Sequence, residues 1–182
     1  MKQVGYFFLF LAATALTTGA ANAQAGHYEL VNLGAFVEGG SSNGHAINNL
    51  GEVTGRSMTE QWYYRAFFWS ESTGMVNVRT LGGPESEGWG INDHSQVVGE
   101  TTDRFGQWHA FLWEAGVIQS AYTAGYGSGA WTINNDGLIV GWNDSIFGTA
   151  GFVRHPDGTV YLGEPGSEFY DINDPAEGAN AL

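Results

Sequence analysis

Beyond an apolar opening segment, hydrophobic positions fall in short alternating runs broken by Gly, Asn and Asp, the pattern of β-strands joined by turns. No later stretch carries apolar residues at helical spacing. The runs recur in phase, the mark of a repeat protein. Ile47-Asn48-Asn49, Ile91-Asn92-Asp93, Ile133-Asn134-Asn135 and Ile172-Asn173-Asp174 are copies of one motif, their isoleucines 44, 42 and 39 residues apart. Five positions before each isoleucine stands a serine: Ser42, Ser86, Ser128 and Ser167. Two positions before it stands a ring: His45, Trp89, Trp131 and Tyr170. Eight positions after the first three stands a glycine: Gly55, Gly99 and Gly141. An aromatic run follows in phase as Arg65-Ala66-Phe67-Phe68-Trp69, as His109-Ala110-Phe111-Leu112-Trp113, and in faded form as Ala150-Gly151-Phe152. Leu33-Gly34, Leu81-Gly82 and Leu162-Gly163 mark the end of a unit.

Each full unit resolves into four short strands. The first ends at the Ile-Asn motif, whose Asn and Gly suit a turn. The second is Glu52–Ser57, Gln96–Thr101 or Leu138–Trp142, and the third is the aromatic run. The fourth is Met75–Leu81, Val117–Ala121 or Thr159–Leu162. Four strands in about 40–45 residues is the period of a propeller blade. The fold class expected is all-β, a propeller-like array of three four-stranded repeats with partial terminal strands. A lone strand at Tyr28–Leu33 opens the array and another at Glu168–Ile172 closes it, fourteen in all. The two middle strands of the blade these would share are missing, so the array reads as an incomplete β-propeller or one that closes unusually. Open sheet edges then offer a route to self-association.

These motifs resemble the HAF-repeat family of bacterial extracellular proteins, named for the tripeptide that occurs here as His109-Ala110-Phe111. The likeness also rests on Ala46-Ile47-Asn48-Asn49 with Gly51, and on Leu81-Gly82-Gly83. It runs from about Tyr28 to Asp174. Arg65 in place of the histidine and Ala150-Gly151-Phe152 depart from the pattern. The resemblance implies secretion and a propeller-like β-repeat, and assigns no catalytic residues.

The opening segment changes the picture of where the chain works. Lys2, the apolar stretch Val4–Leu16 and the small-x-small site Ala21-Asn22-Ala23 read as a signal peptide over residues 1–23. The β-repeat domain then covers 24–174, with a C-terminal tail at 175–182. The expectation is a secreted protein, extracellular or periplasmic, cleaved near Ala23 and with no membrane insertion of the mature chain. With no cysteine, disulfides, thiolate metal sites and a cysteine nucleophile are excluded. A net charge of -13 argues against nucleic acid as a partner, which needs a basic face.

Candidate chemistry is sparse. His45, Trp89, Trp131 and Tyr170 could line a central mouth and stack on a glycan or protein ligand, or could pack between units; recurrence in every copy favours packing. His109 could serve as a base, but Arg65 holds its place in the first unit and carries a permanent cation. Asn134, Asn135 and Asp136, like Asn92 and Asp93, offer clustered oxygens without the spacing of a calcium loop. No zinc spacing and no cofactor motif occurs, and Gly125-Tyr126-Gly127-Ser128-Gly129 matches neither a nucleotide loop nor a nucleophile elbow. The reading is a secreted, non-enzymatic binding or scaffolding module for a glycan or protein. A polysaccharide hydrolase or lyase, and a truncated remnant of a longer repeat protein, are the alternatives.

Overall fold

A computed structural model describes residues 29–122 and 125–174. The signal peptide expected over residues 1–23 and the 175–182 tail lie outside the described residues. Twelve strands form three four-stranded antiparallel sheets, each a meander in chain order. The first holds β1 (Ser42–Ile47), β2 (Val53–Met58), β3 (Tyr64–Ser70) and β4 (Gly74–Asn77). The second holds β5 (Gly82–Ile91), β6 (Val97–Asp103), β7 (Trp108–Glu114) and β8 (Val117–Tyr122). The third holds β9 (Gly127–Ile133), β10 (Ile139–Ser145), β11 (Gly148–Arg154) and β12 (Val160–Leu162). No helix occurs among the described residues.

The recurring residues build this pattern directly. Each Ile-Asn motif is the hairpin between the first two strands of a unit. Asn48 Oδ1 accepts the N–H groups of Leu50 and Glu52, and Asn92 Oδ1 those of His94 and Gln96. Asn134 Oδ1 accepts the N–H of Leu138. In each turn the asparagine side chain thus works alongside its own carbonyl, which accepts the N–H three residues on. The glycines eight residues on stand where the first two strands of a unit approach closely beside a bulge. A Cβ at Gly55 or Gly99 would lie 1.9 Å from the carbonyl oxygen of Asn43 or Glu87, and at Gly141 2.0 Å from that of Gly129. No side chain fits at such a distance.

Buried serines tie one sheet to the next. Ala66 N–H donates to Ser86 Oγ at 2.9 Å, and that hydroxyl donates on to Arg79 O at 2.7 Å. Ala110 N–H donates to Ser128 Oγ at 3.0 Å, which donates to Tyr122 O at 2.8 Å. The alanine of the aromatic run and the serine of the following unit recur together because they are bonded partners.

Consecutive sheets stack face to face. Ala66 and Phe68 of β3 pack with Ile91, Val97, Phe111 and Trp113 of the second sheet. On the opposite face Val98, Ala110 and Leu112 pack with Ala130, Ile133, Ile139 and Phe152 of the third. The middle sheet is therefore covered on both sides, with alternate residues of β7 pointing each way. Phe67, Phe111 and Phe152, one per unit, are fully buried, each contributing roughly 2–3 kcal/mol of apolar burial.

Where terminal strands are expected, at Tyr28–Leu33 and Glu168–Ile172, residues 29–33 and 168–172 are irregular, so the described residues hold twelve strands rather than the fourteen expected. A strand needs a ladder partner, and among the described residues no segment pairs with Glu168–Ile172. Side chains hold that segment instead. Gly151 N–H donates to Ser167 Oγ at 3.3 Å, and the Phe169 ring covers Gly151. The fourth strand of the first unit also stops at Asn77 rather than Leu81, because Arg79 takes a positive φ of 74° and the chain turns into β5.

Candidate functional site

The four Ile-Asn motifs meet around one cavity of about 270 Å³. Around it the asparagines form a ladder from unit to unit. Asn48 Nδ2 donates to Asn92 O at 2.8 Å, Asn92 Nδ2 to Asn134 O at 3.0 Å, and Asn134 Nδ2 to Asn173 O at 3.2 Å. The next position forms a second ladder. Asp93 receives the backbone and side-chain N–H groups of Asn49, each at 2.8 Å, and Asn135 Nδ2 at 3.0 Å. Asp174 receives the N–H of Asn135 at 2.6 Å and its Nδ2 at 2.8 Å. Hydrogen bonds from the Asn49 side chain and backbone, then from Asn135, hold the Asp93 carboxyl below the usual carboxylate range. The clustered oxygens that suggested calcium already accept these donors. Among the described residues no group of three or more His, Asp or Glu side chains is placed to hold a metal.

The four ring positions come together as a row running from sheet to sheet. His45 stacks on Trp89 with centroids 4.4 Å apart and planes 12° apart. Trp89 meets Trp131 edge-on at 5.5 Å, and Trp131 lies over Tyr170 at 6.4 Å. Such pairs contribute about 0.5–1.5 kcal/mol each beyond area burial. His45 Nδ1–H donates to Gly88 O at 2.9 Å, fixing its ring. At the Trp131–Tyr170 end the rings also face open space. His109 plays a local part: its Nε2–H donates to Asp103 Oδ2 at 3.2 Å, on the β6–β7 hairpin of its own unit. Arg65 in the same place donates to Thr80 Oγ1 at 3.1 Å.

A cleft of about 420 Å³ opens beside that end of the row. Trp131, Trp142 and Tyr170 supply its rings, and Glu100, Asp144 and Glu168 its carboxyl groups. Gly129 makes room for two of these side chains: a Cβ there would lie 2.4 Å from Trp142 Nε1 and 2.6 Å from Glu100 Oε2. The glycine-rich Gly125–Gly129 stretch is therefore the seat of the Trp142 indole, and Ser128 within it is the inter-sheet serine. Glu100 stands directly across from Glu87 in the β5–β6 ladder. Glu87 is neutralised by Arg56, whose Nη1 lies 3.0 Å from its Oε2. Glu100 has no such partner. Burial pushes its carboxyl up to about 7, the Trp89 indole N–H opposing the rise and the Glu87 charge adding to it.

Of the four ring residues singled out in the sequence, Trp131 and Tyr170 line this cleft; His45 and Trp89 are occupied with each other. Glu100, Trp142, Asp144 and Glu168 were not singled out. For Glu100 and Trp142 the signal is departure from the repeat, since Arg56, Glu100 and Trp142 occupy the same place in successive units; Glu168 repeats the place of Glu87. No family profile, characterised protein or solved structure matches the chain.

Proposed function

We propose that this is a secreted, non-enzymatic binding module of the propeller-like, HAF-repeat type, taking a glycan or protein ligand in the cleft that its third sheet forms with Glu100 of the second sheet and with Glu168 and Tyr170. The observation that carries the reading is the contrast between the repeated parts and the cleft. The recurring Ser, Asn, Gly and Phe positions are consumed in holding sheets together. Glu100, Trp142 and Asp144 do not recur, and they gather with Glu168, which stands at the place of Glu87, where two rings of the row are accessible. Exposed rings beside hydrogen-bond acceptors are the usual equipment of a ligand site. The leader-like residues 1–23 support secretion. The test is tryptophan fluorescence during titration with soluble extracellular glycans and peptides. A saturable change lost in both Trp131→Ala and Trp142→Ala is expected. Binding that survives in both folded variants sinks the site.

A second reading, a polysaccharide hydrolase, is favoured by the raised Glu100 carboxyl. A carboxyl pushed up to about 7 that shares a cleft with two further carboxyl groups has the pairing of a general acid with a nucleophile or base. Reducing-end release from a polysaccharide panel, abolished by Glu100→Gln, would replace the binding reading with this one.

A further inference from the structure

We infer that the cleft binds a guanidinium group, the arginine side chain of a partner peptide or protein. The inference rests on the binding-module reading and names its ligand chemistry.

The protein contains its own version of the complex one interface earlier. Where the first sheet meets the second, Arg56 reaches across from β2 to Glu87 on β5, with Nη1 3.0 Å from Oε2. Its guanidinium carbon lies 4.5 Å above the Tyr64 ring. That interface is filled by an arginine between a carboxylate and an aromatic face. Where the second sheet meets the third, Glu100 takes the place of Arg56, and Gly129 takes the place of Glu87. A cation has been exchanged for an anion, and the side chain opposite has been removed. The Glu100 and Trp142 side chains pack against Gly129, and the cleft beside them has Glu100 and Asp144 on its walls, the exposed Glu168 at its rim, and Trp131, Trp142 and Tyr170 as ring faces. No basic side chain lines it. Among the described residues the ion pairs are His45–Glu87, Arg56–Glu87 and His109–Asp103, none of which reaches the cleft.

The chemistry selects the ligand. A neutral sugar would take the hydrogen bonds and stacking on offer, Asp144 already accepting the Thr149 hydroxyl, but would leave the Glu100 carboxyl without a counter-charge. A cation supplies one. Among organic cations a guanidinium is planar and weakly hydrated, stacks on indole and phenol rings, and meets a carboxylate with two parallel N–H groups. The net charge of -13 attracts a basic partner at long range.

The experiment titrates the protein with N-acetyl-arginine amide and, separately, with N-acetyl-citrulline amide, which has the same shape without the charge. Tryptophan fluorescence is the readout. A saturable change is expected with the arginine compound, with citrulline at least about tenfold weaker and Glu100→Gln weakening arginine by about tenfold. The wild-type comparison stands by itself if the variant misfolds. Equal binding of the two compounds, or no saturable change with arginine, overturns the inference. A glycan that gives a change dependent on Trp142 while arginine gives none overturns it and leaves the binding-module reading in place. Silence from arginine, glycans and basic peptides alike removes both.

Discussion

Replacing Glu100 with glutamine should stabilise the protein, and only above mildly acidic pH. The carboxyl titrates at 4.5 when free in an unfolded chain and near 7 in the fold. Below pH 4 it is protonated in both states, so folding stability is indifferent to its charge. Between about 4.5 and 7 the unfolded chain gives up the proton while the fold retains it. The native state then binds more protons, and stability falls as pH rises. Above 7 the fold holds an ionised carboxylate facing Glu87, with Asp144 and Glu168 on the same cleft, and the full penalty applies. At about 1.4 kcal/mol per unit the difference amounts to about 3 kcal/mol, and water reaching the half-exposed group reduces this to roughly 1–3 kcal/mol. Glutamine has nearly the same shape and no charge. Urea unfolding of wild type and Glu100→Gln, at pH 4 and at pH 8, measures the effect directly. The expected result is equal stability at pH 4 and a gain for the variant of roughly 1–3 kcal/mol at pH 8. A variant equally or less stable at pH 8 would show that Glu100 has a compensating partner, and would refute the electrostatic reasoning.

Asn92→Ala should cost roughly 2–4 kcal/mol in the same unfolding assay, because it strips the turn of two accepted N–H groups and leaves Asn134 O without its inter-sheet donor; a loss below about 0.5 kcal/mol would show that the ladder is ornamental. Gly151→Ala should cost roughly 1–3 kcal/mol, since a Cβ there would lie 2.5 Å from the Phe169 ring. Adding Phe169→Leu to that variant should recover part of the loss, and strictly additive costs in the double variant would show that the two positions are not matched in size.

The aromatic runs, the turn asparagines and the bulge glycines were legible in the sequence because each does the same job in every unit, and repetition makes a structural job visible. The terminal strands were misjudged for the complementary reason. The segment Ser167–Ile172 carries the letters of a first strand, including Ser167, Tyr170 and Ile172, but a strand is a relation between two segments and none of the described residues pairs with it. Those letters still act through their side chains: Ser167 receives Gly151 N–H, and Asn173 and Asp174 receive the asparagine ladder. Gly151 itself, which looked like decay of the motif, is a fit to Phe169; where the second and third sheets meet, two alanines, Ala110 and Ala130, pack instead. The cleft was hidden because it is built from what the repeat does not predict. Glu100 is meaningful only against Arg56, and Gly129 only against Glu87. The contrast required knowing that these residues face one another across a sheet-to-sheet interface. Two of the four rings, Trp131 and Tyr170, line the cleft. Which two could not be read from spacing, since a ring row looks the same in every unit until one end of it opens beside unpaired acids.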